Sequence, residues 1–251
     1  MKKIALVTGS SRGLGKSTAL NLAKKGVDVV VTYHSNEEEA KKVVAEIQQL
    51  GAKAVALQLN TANTKTFDAF VMQIQQSLKE TWQTDRFDFL VNNAGTGIHA
   101  SFAETTEEDF DHLMNIHVKG VFFLTQKLLP LINDGGRIVN LSSGLTRIIA
   151  PGYAAYATMK GAMETLTKYM AKELGSRQIA VNIVAPGAIE TDFGGGMVRD
   201  NPEMNQFLAS TTALGRVGLP DDIGGAIASL LSEDNQWVNA QRIEVSGGQS
   251  I

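Results

Sequence analysis

Seven short apolar runs recur along the chain and limit what it can fold into: "IALVTG", "VDVVVTY", "KAVALQL", "FDFLVNNAG", "GRIVNLSS", "IAVNIVAPG" and "QRIEVSGG". Most are nearly all apolar instead of alternating with polar residues. Strands of that kind need cover on both faces, which is the pattern of a parallel sheet. The segments between them carry helical periodicity. In "GLGKSTALNLAKKG", Leu14, Ala19, Leu22 and Ala23 share an inward face and Gly26 ends the helix. Further helices are expected over about 37–50, 67–80, 107–132, 153–174 and 222–231. There is no linker rich in Pro, Ser or charge, and no internal repeat. The alternation therefore predicts one α/β domain over residues 1–251, a doubly wound parallel sheet with helices on both faces. Residues from about 188 to 219 break the rhythm, and the Gly-rich "DFGGGMVRDNPEMN" within them is expected to be a mobile loop.

Composition narrows the function classes. Hydrophobic residues make up 43% of the 251 and charged residues 20%, as in soluble globular proteins. The formal net charge is -3 and no dense Lys/Arg run occurs, so neither nucleic acid nor an anionic membrane is an expected partner. The absence of cysteine excludes disulfides, thiol nucleophiles and cysteine metal sites, and suits a reducing compartment. The apolar run Ile4–Val7 is too short for a secretion signal. The stretch "VFFLTQKLLPLI" is too short and too polar to span a bilayer. A cytoplasmic protein is expected.

Polar and Gly-rich turns follow four of the strands. "TGSSRGLG" (Thr8–Gly15) lies between the first strand and the first helix. Glycines there let the backbone approach a ligand, and the helix amino end offers free N–H groups to a pyrophosphate. Its spacing, Gly9, Gly13 and Gly15, differs from the common G-x-G-x-x-G fingerprint. "NNAG", "NLSSG" and "APGAIET" follow the fourth, fifth and sixth strands. In doubly wound sheets, ligands bind beyond the carboxyl ends of the strands, so all four turns fall on one expected binding edge. "YATMK" places Tyr156 and Lys160 on one face of a helix.

This ordered set, with "YATMK" between "NLSSG" and "APGAIET", resembles the short-chain dehydrogenase/reductase family of the single-domain type, over essentially the whole chain. The resemblance implies a seven-stranded Rossmann-type sheet, a nicotinamide dinucleotide, and hydride transfer between a ketone and a secondary alcohol. It implies Tyr156 as acid–base group, Lys160 as its partner, and Ser143, thirteen residues before Tyr156, as the serine that holds the substrate oxygen. Ser142 is the less suitable neighbour. Catalysis near neutral pH then calls for the phenol pKa to come down from its usual value near ~10. Dinucleotide contacts are implied at Gly9, Ser11, Arg12, Gly13, Leu14 and Gly15, and at Asn60 after the third strand. Others are implied at Asn92, Ala94 and Gly95, at Tyr156 and Lys160, and at Pro186, Gly187, Ile189 and Thr191. Apolar Phe193, Met197 and Met204 suggest a substrate lid over about 188–214.

The end of the second strand bears on cofactor choice. NAD-preferring relatives usually carry an acidic residue there; this chain has Tyr33, followed by His34 and Ser35, with no carboxylate before Glu37. A 2′-phosphate needs donors and positive charge, which Arg12 and His34 can offer. NADP(H) is expected over NAD(H). One position departs from the family: the catalytic Asn three residues before a Gly is here His117, in "MNIHVKGVFF". Asn115 lies on a different helix face. If His117 takes the role of that Asn, an ionisation between about pH 5.5 and 7.5 is expected in the rate profile. The remaining histidines, His34, His99 and His112, lack metal-ligand spacing, and no metal is expected. Within the family the chain is similar to 3-oxoacyl-carrier-protein reductases. The acidic Asp134 in "LINDGGR" speaks against docking an acidic carrier, whereas Arg177 is suitably placed for it. A non-catalytic dinucleotide sensor is the competing reading. A homo-oligomer, tetramer or dimer, is expected through the fourth and fifth helices.

Overall fold

A computed structural model describes residues 2–251. Seven parallel strands form a single sheet: β1 (Ile4–Val7), β2 (Asp28–Tyr33), β3 (Ala54–Gln58), β4 (Phe87–Asn92), β5 (Ile132–Leu141), β6 (Ala180–Pro186) and β7 (Arg242–Val245). Their order is β3-β2-β1-β4-β5-β6-β7. The crossovers diverge between β1 and β4, which opens a crevice at the carboxyl ends of those strands.

The unbroken apolar runs arise because successive side chains enter different cores. Ala5 and Val7 of β1, with Val29 and Val31 of β2, face one core. That core is closed by α1 (Gly13–Lys24), α2 (Glu37–Gln49) and α9 (Pro220–Leu230). Ile4, Leu6 and Val30 face the other core, built with α3 (Phe67–Ser77), α5 (Gly120–Leu128) and α6 (Ala154–Glu173). Two buried carboxylates tie strand ends together. Asp28 accepts from Lys53 N at 2.8 Å and Trp82 Nε1 at 2.8 Å, and Asp88 accepts from Ile4 N at 2.9 Å.

Two expected elements differ in detail. The long helix over 107–132 is divided: α4 (Glu107–Met114) passes through a wide π turn at Asn115–Lys119 before α5 begins. The main chain of Gly120 donates to Asn115 O across that turn, leaving one extra residue in the helix. Close packing contributes, since a Cβ on Gly120 would run into Thr61 O. The segment expected to be irregular contains α7 (Met197–Asp200) and α8 (Pro202–Ser210). Asn201 Oδ1 caps α8 by accepting from Met204 N at 3.0 Å, and Pro202 fills its first turn. No helix among the described residues is long and apolar enough to cross a membrane.

Candidate active site

The β1–α1 turn is braced from two neighbouring strands. Thr8 Oγ1 accepts from Asn93 N and Ala94 N, both at 2.9 Å, and Asn93 Nδ2 donates to Thr8 O at 2.8 Å. Gly9 N donates to Thr32 Oγ1 at 3.0 Å, and Ser10 Oγ accepts from Thr32 N at 3.0 Å. Gly9 has φ +62, and a Cβ there would lie 2.9 Å from Ala94 Cα. Gly15 is equally confined, against Gly9 O and the Asn93 amide. Gly13 differs. It has φ +56, and a Cβ would find only Thr191 Cγ2, at 4.0 Å. The turn is rigid behind and open in front. No side chain caps α1, no acidic residue lies in its first turn, and Leu14 sits in that turn with Ser11 just before it. Free N–H groups at an uncapped helix amino end form an anion site. Asn93, Thr8 and Thr32 were not singled out from sequence. Their role depends on register between β1, β2 and β4, although the doubled Asn of "NNAG" was a usable signal.

At the end of β2, Tyr33 is half-buried while His34 and Ser35 are exposed. Glu37 forms a 3.0 Å ion pair with Lys41, and its charge adds to burial in raising the Tyr33 pKa. Arg12 is largely exposed and stands 3.6 Å from the exposed Asp192. Asn60 turns its carbonyl oxygen inward to accept from Ala62 N at 3.0 Å. Asn92 ends β4 on the expected edge, but its side chain turns into the fold. Its buried amide donates to Asn140 Oδ1 at 2.9 Å and Thr125 Oγ1 at 3.1 Å. Only its main chain can serve the sheet edge. Gly95 packs on His117. Pro186 ends β6, Gly187 N donates to Val245 O at 3.1 Å, Ile189 pairs with Gly218, and Thr191 Oγ1 accepts from Phe193 N at 3.2 Å.

The structure brings Ser143, Tyr156 and Lys160 together. Tyr156 and Lys160 are buried on α6, one turn apart. Lys160 Nζ donates to Leu141 O at 2.9 Å and lies 5.5 Å from the centre of the Tyr156 ring. Ser143 occupies the turn after β5, where its hydroxyl accepts from Leu145 N at 3.2 Å and lies close enough to the phenol to pull its pKa down. Burial brings the Lys160 pKa down to about 7. The phenol behaves against expectation. Burial raises its pKa above the usual value; Ser143 offsets this only in part, and nearby Tyr153 adds to the rise. Without a full positive charge on Lys160 at neutral pH, desolvation dominates.

His117 is 2% exposed and sits in the π turn. Its Nε2 lies 2.7 Å from Thr96 O, its ring edge meets the Tyr156 ring at 5.4 Å, and Nδ1 has no partner. Burial, then the charge of Lys160, lowers its pKa to about 3, against the opposing pull of Thr96 O. A ring whose pKa is lowered this far stays neutral across the working range, so an ionisation between pH 5.5 and 7.5 is not assigned to His117.

Aromatic rings surround the phenol. Phe193 lies 5.4 Å from Tyr156 and Tyr153 lies 6.5 Å from it, while His99 packs edge-on against Tyr153 at 5.0 Å. Gly97 makes room for Phe193, because a Cβ there would overlap the Phe193 ring. Arg177 is bound locally, donating to Asp134 Oδ1 at 2.7 Å and Leu129 O at 2.9 Å.

The family model described as enoyl-(acyl carrier protein) reductase matches residues 9–250. The hydroxynaphthalene reductase-like protein Arp2 of Metarhizium brunneum is 37% identical over 98% of this chain and 94% of its own length. A structure of LugOII, a promiscuous reductase that catalyses keto-reduction at C1 during lugdunomycin biosynthesis, superposes with a TM-score of 0.94 at 38% identity, covering 99% and 98% of the two chains. The angucycline C-6 ketoreductase LanV with bound NADP superposes with a TM-score of 0.93 at 36% identity, covering 99% and 95%.

Proposed function

The chain belongs to the short-chain dehydrogenase/reductase family of oxidoreductases, and from that premise we propose that it is an NADP(H)-dependent reductase of ketones carried on flat aromatic ring systems. The observation that carries this reading is the buried phenol of Tyr156, which keeps its proton at neutral pH and is ringed by aromatic side chains. A retained proton suits reduction, because the ketone oxygen must gain one.

The residues fit a dinucleotide. The uncapped amino end of α1 and the open face at Gly13 suit its pyrophosphate. When bound, the dinucleotide supplies the hydride that reaches the ketone carbon. Tyr156 Oη gives its proton to the ketone oxygen, and the Ser143 hydroxyl holds that oxygen in line. Lys160, half protonated near pH 7 and fixed by Leu141 O, steadies the phenolate left behind. His117 stays neutral and holds the Thr96 main chain beneath the ring. The phosphate-bearing cofactor is favoured because Glu37, the carboxylate near the end of β2, is paired with Lys41, and because Arg12 is held only by an exposed, 3.6 Å contact.

The lid over 188–214 contributes Phe193, whose ring faces Tyr156 from above Gly97. The two ring centres are 5.4 Å apart, so Phe193 must move off Tyr156 to admit a substrate, and stacking on its ring then favours an aromatic one. The similarity to a hydroxynaphthalene reductase-like protein and to an angucycline C-6 ketoreductase supports this substrate class. A carrier-bound acyl substrate is disfavoured, since Arg177 is already committed to Asp134. The test is NADPH oxidation with a bicyclic aromatic ketone and an open-chain 3-oxoacyl thioester. The aromatic ketone should have the higher kcat/KM. The opposite order contradicts the substrate class, and NADPH binding without turnover of any ketone favours the sensor reading.

A further inference from the structure

The residues after β7 touch three parts of the site at once. A Cβ on Gly187 would lie 2.8 Å from Gln249 Oε1 and 2.8 Å from Ser246 Cβ, so the tail packs directly on the loop after β6. The same Gln249 Oε1 accepts from Ala188 N at 2.9 Å, and Gln249 is 7% exposed. The tail also holds the returning end of the lid. Ser250 N donates to Thr211 O at 2.8 Å, and Ala213 N and Leu214 N donate to Gly248 O and Gly247 O, each at 3.1 Å.

The third contact reaches the turn that bears Ser143. Arg147, just beyond that turn, donates to Gln249 O at 2.7 Å and Ser250 O at 3.0 Å, and pairs with Glu244 at 2.5 Å. Glu244 continues to Arg242 at 2.9 Å, and Arg242 to Glu164 at 2.7 Å. Glu164 Oε1 accepts from Ser142 Oγ at 2.6 Å and Thr146 Oγ1 at 2.8 Å, which flank Ser143.

We propose that residues 246–250 form a strap that sets the active-site geometry, with Gln249 as the positioning residue for the Gly187–Ala188 loop and Arg147 as its anchor on the Ser143 side. The role rests on the reductase reading, because that loop lies where the nicotinamide end of the dinucleotide would be held. Removing the Gln249 acceptor leaves the Ala188 N–H unpaired and frees the loop to shift, while both sheet cores stay intact.

The test compares Gln249→Met, similar in size without an acceptor, with Gln249→Glu, which keeps one. Amide exchange over 187–190 is measured on the full chain without ligand, alongside NADPH KM, kcat for a ketone and the thermal midpoint. Gln249→Met should exchange at least tenfold faster over that segment and raise the NADPH KM about tenfold, roughly the worth of one buried hydrogen bond. Its thermal midpoint should stay near wild type, and Gln249→Glu should restore both protection and KM. If Gln249→Met fails to fold, Arg147→Gln should move exchange and KM in the same direction. Unchanged exchange overturns the strap, and changed exchange with an unchanged KM overturns its positioning role. The exchange measurement needs no turnover, so a wild type inactive on every ketone would refute the reductase reading and leave the strap decided separately.

Discussion

Burial sets the chemistry of Tyr156, Lys160 and His117 more than their charges do. The triad of Ser143, Tyr156 and Lys160 was legible because each sits in a motif whose spacing survives without a structure. The protonation states were not legible, because desolvation depends on packing from distant elements. Lys160 gives the most direct test. In the folded chain it loses its proton near pH 7, against an ordinary value of 10.5. Between those values the unfolded chain binds the extra proton, so stability rises with pH through that window. Below about pH 7 the buried ammonium costs the fold stability. The difference across the full window is at most about 5 kcal/mol. Denaturant unfolding should show the midpoint climbing from pH 7 to about 9.5. In Lys160→Met the climb should vanish and stability at pH 7 should rise, while turnover is lost. A midpoint that falls over that interval in wild type contradicts this account. For His117, a neutral ring means that His117→Asn and wild type should share one rate profile between pH 5.5 and 7.5. An ionisation present only in wild type would show that the ring titrates there after all.

Among the elements, the β1–α1 turn was the most readable, since Gly9, Gly13 and Gly15 each answer to a local requirement. The π turn was not readable, because it depends on where Gly120 meets Thr61 across the fold. The helices of the lid were half-visible: Asn201-Pro202 is a helix start that the neighbouring glycines masked. Arg12→Ala should weaken NADPH by about 1.5–3 kcal/mol, the range for a hydrogen bond to a charged group, and NADH much less. Equal weakening in calorimetric titration would assign Arg12 to the pyrophosphate or to its contact with Asp192. Phe193→Ala should lower kcat/KM for a bicyclic aromatic ketone by up to roughly tenfold, the worth of an aromatic pair, and spare a small aliphatic ketone. A uniform loss would make Phe193 a general cover instead.

For the molecule as a whole, the parallel sheet and its two cores followed from apolar runs too continuous for a one-faced sheet. Strand order and the buried Asn92–Asn140 contact did not follow, since they depend on which runs become neighbours. Exposed Phe122 and Phe123 on α5, with Phe110 on α4, are the surface through which we propose that copies associate. Phe122→Arg with Phe123→Arg should reduce the mass seen by light scattering, and an unchanged mass would place the interface elsewhere. In the proposed reaction the fold presents one buried phenol to a ketone. Tyr156→Phe tests it most directly, by NADPH titration and NADPH-dependent reduction of a bicyclic aromatic ketone in parallel. NADPH binding should be retained while turnover falls at least ~10²-fold, the usual minimum for a positioned acid–base group; near-normal turnover with intact binding would contradict the account.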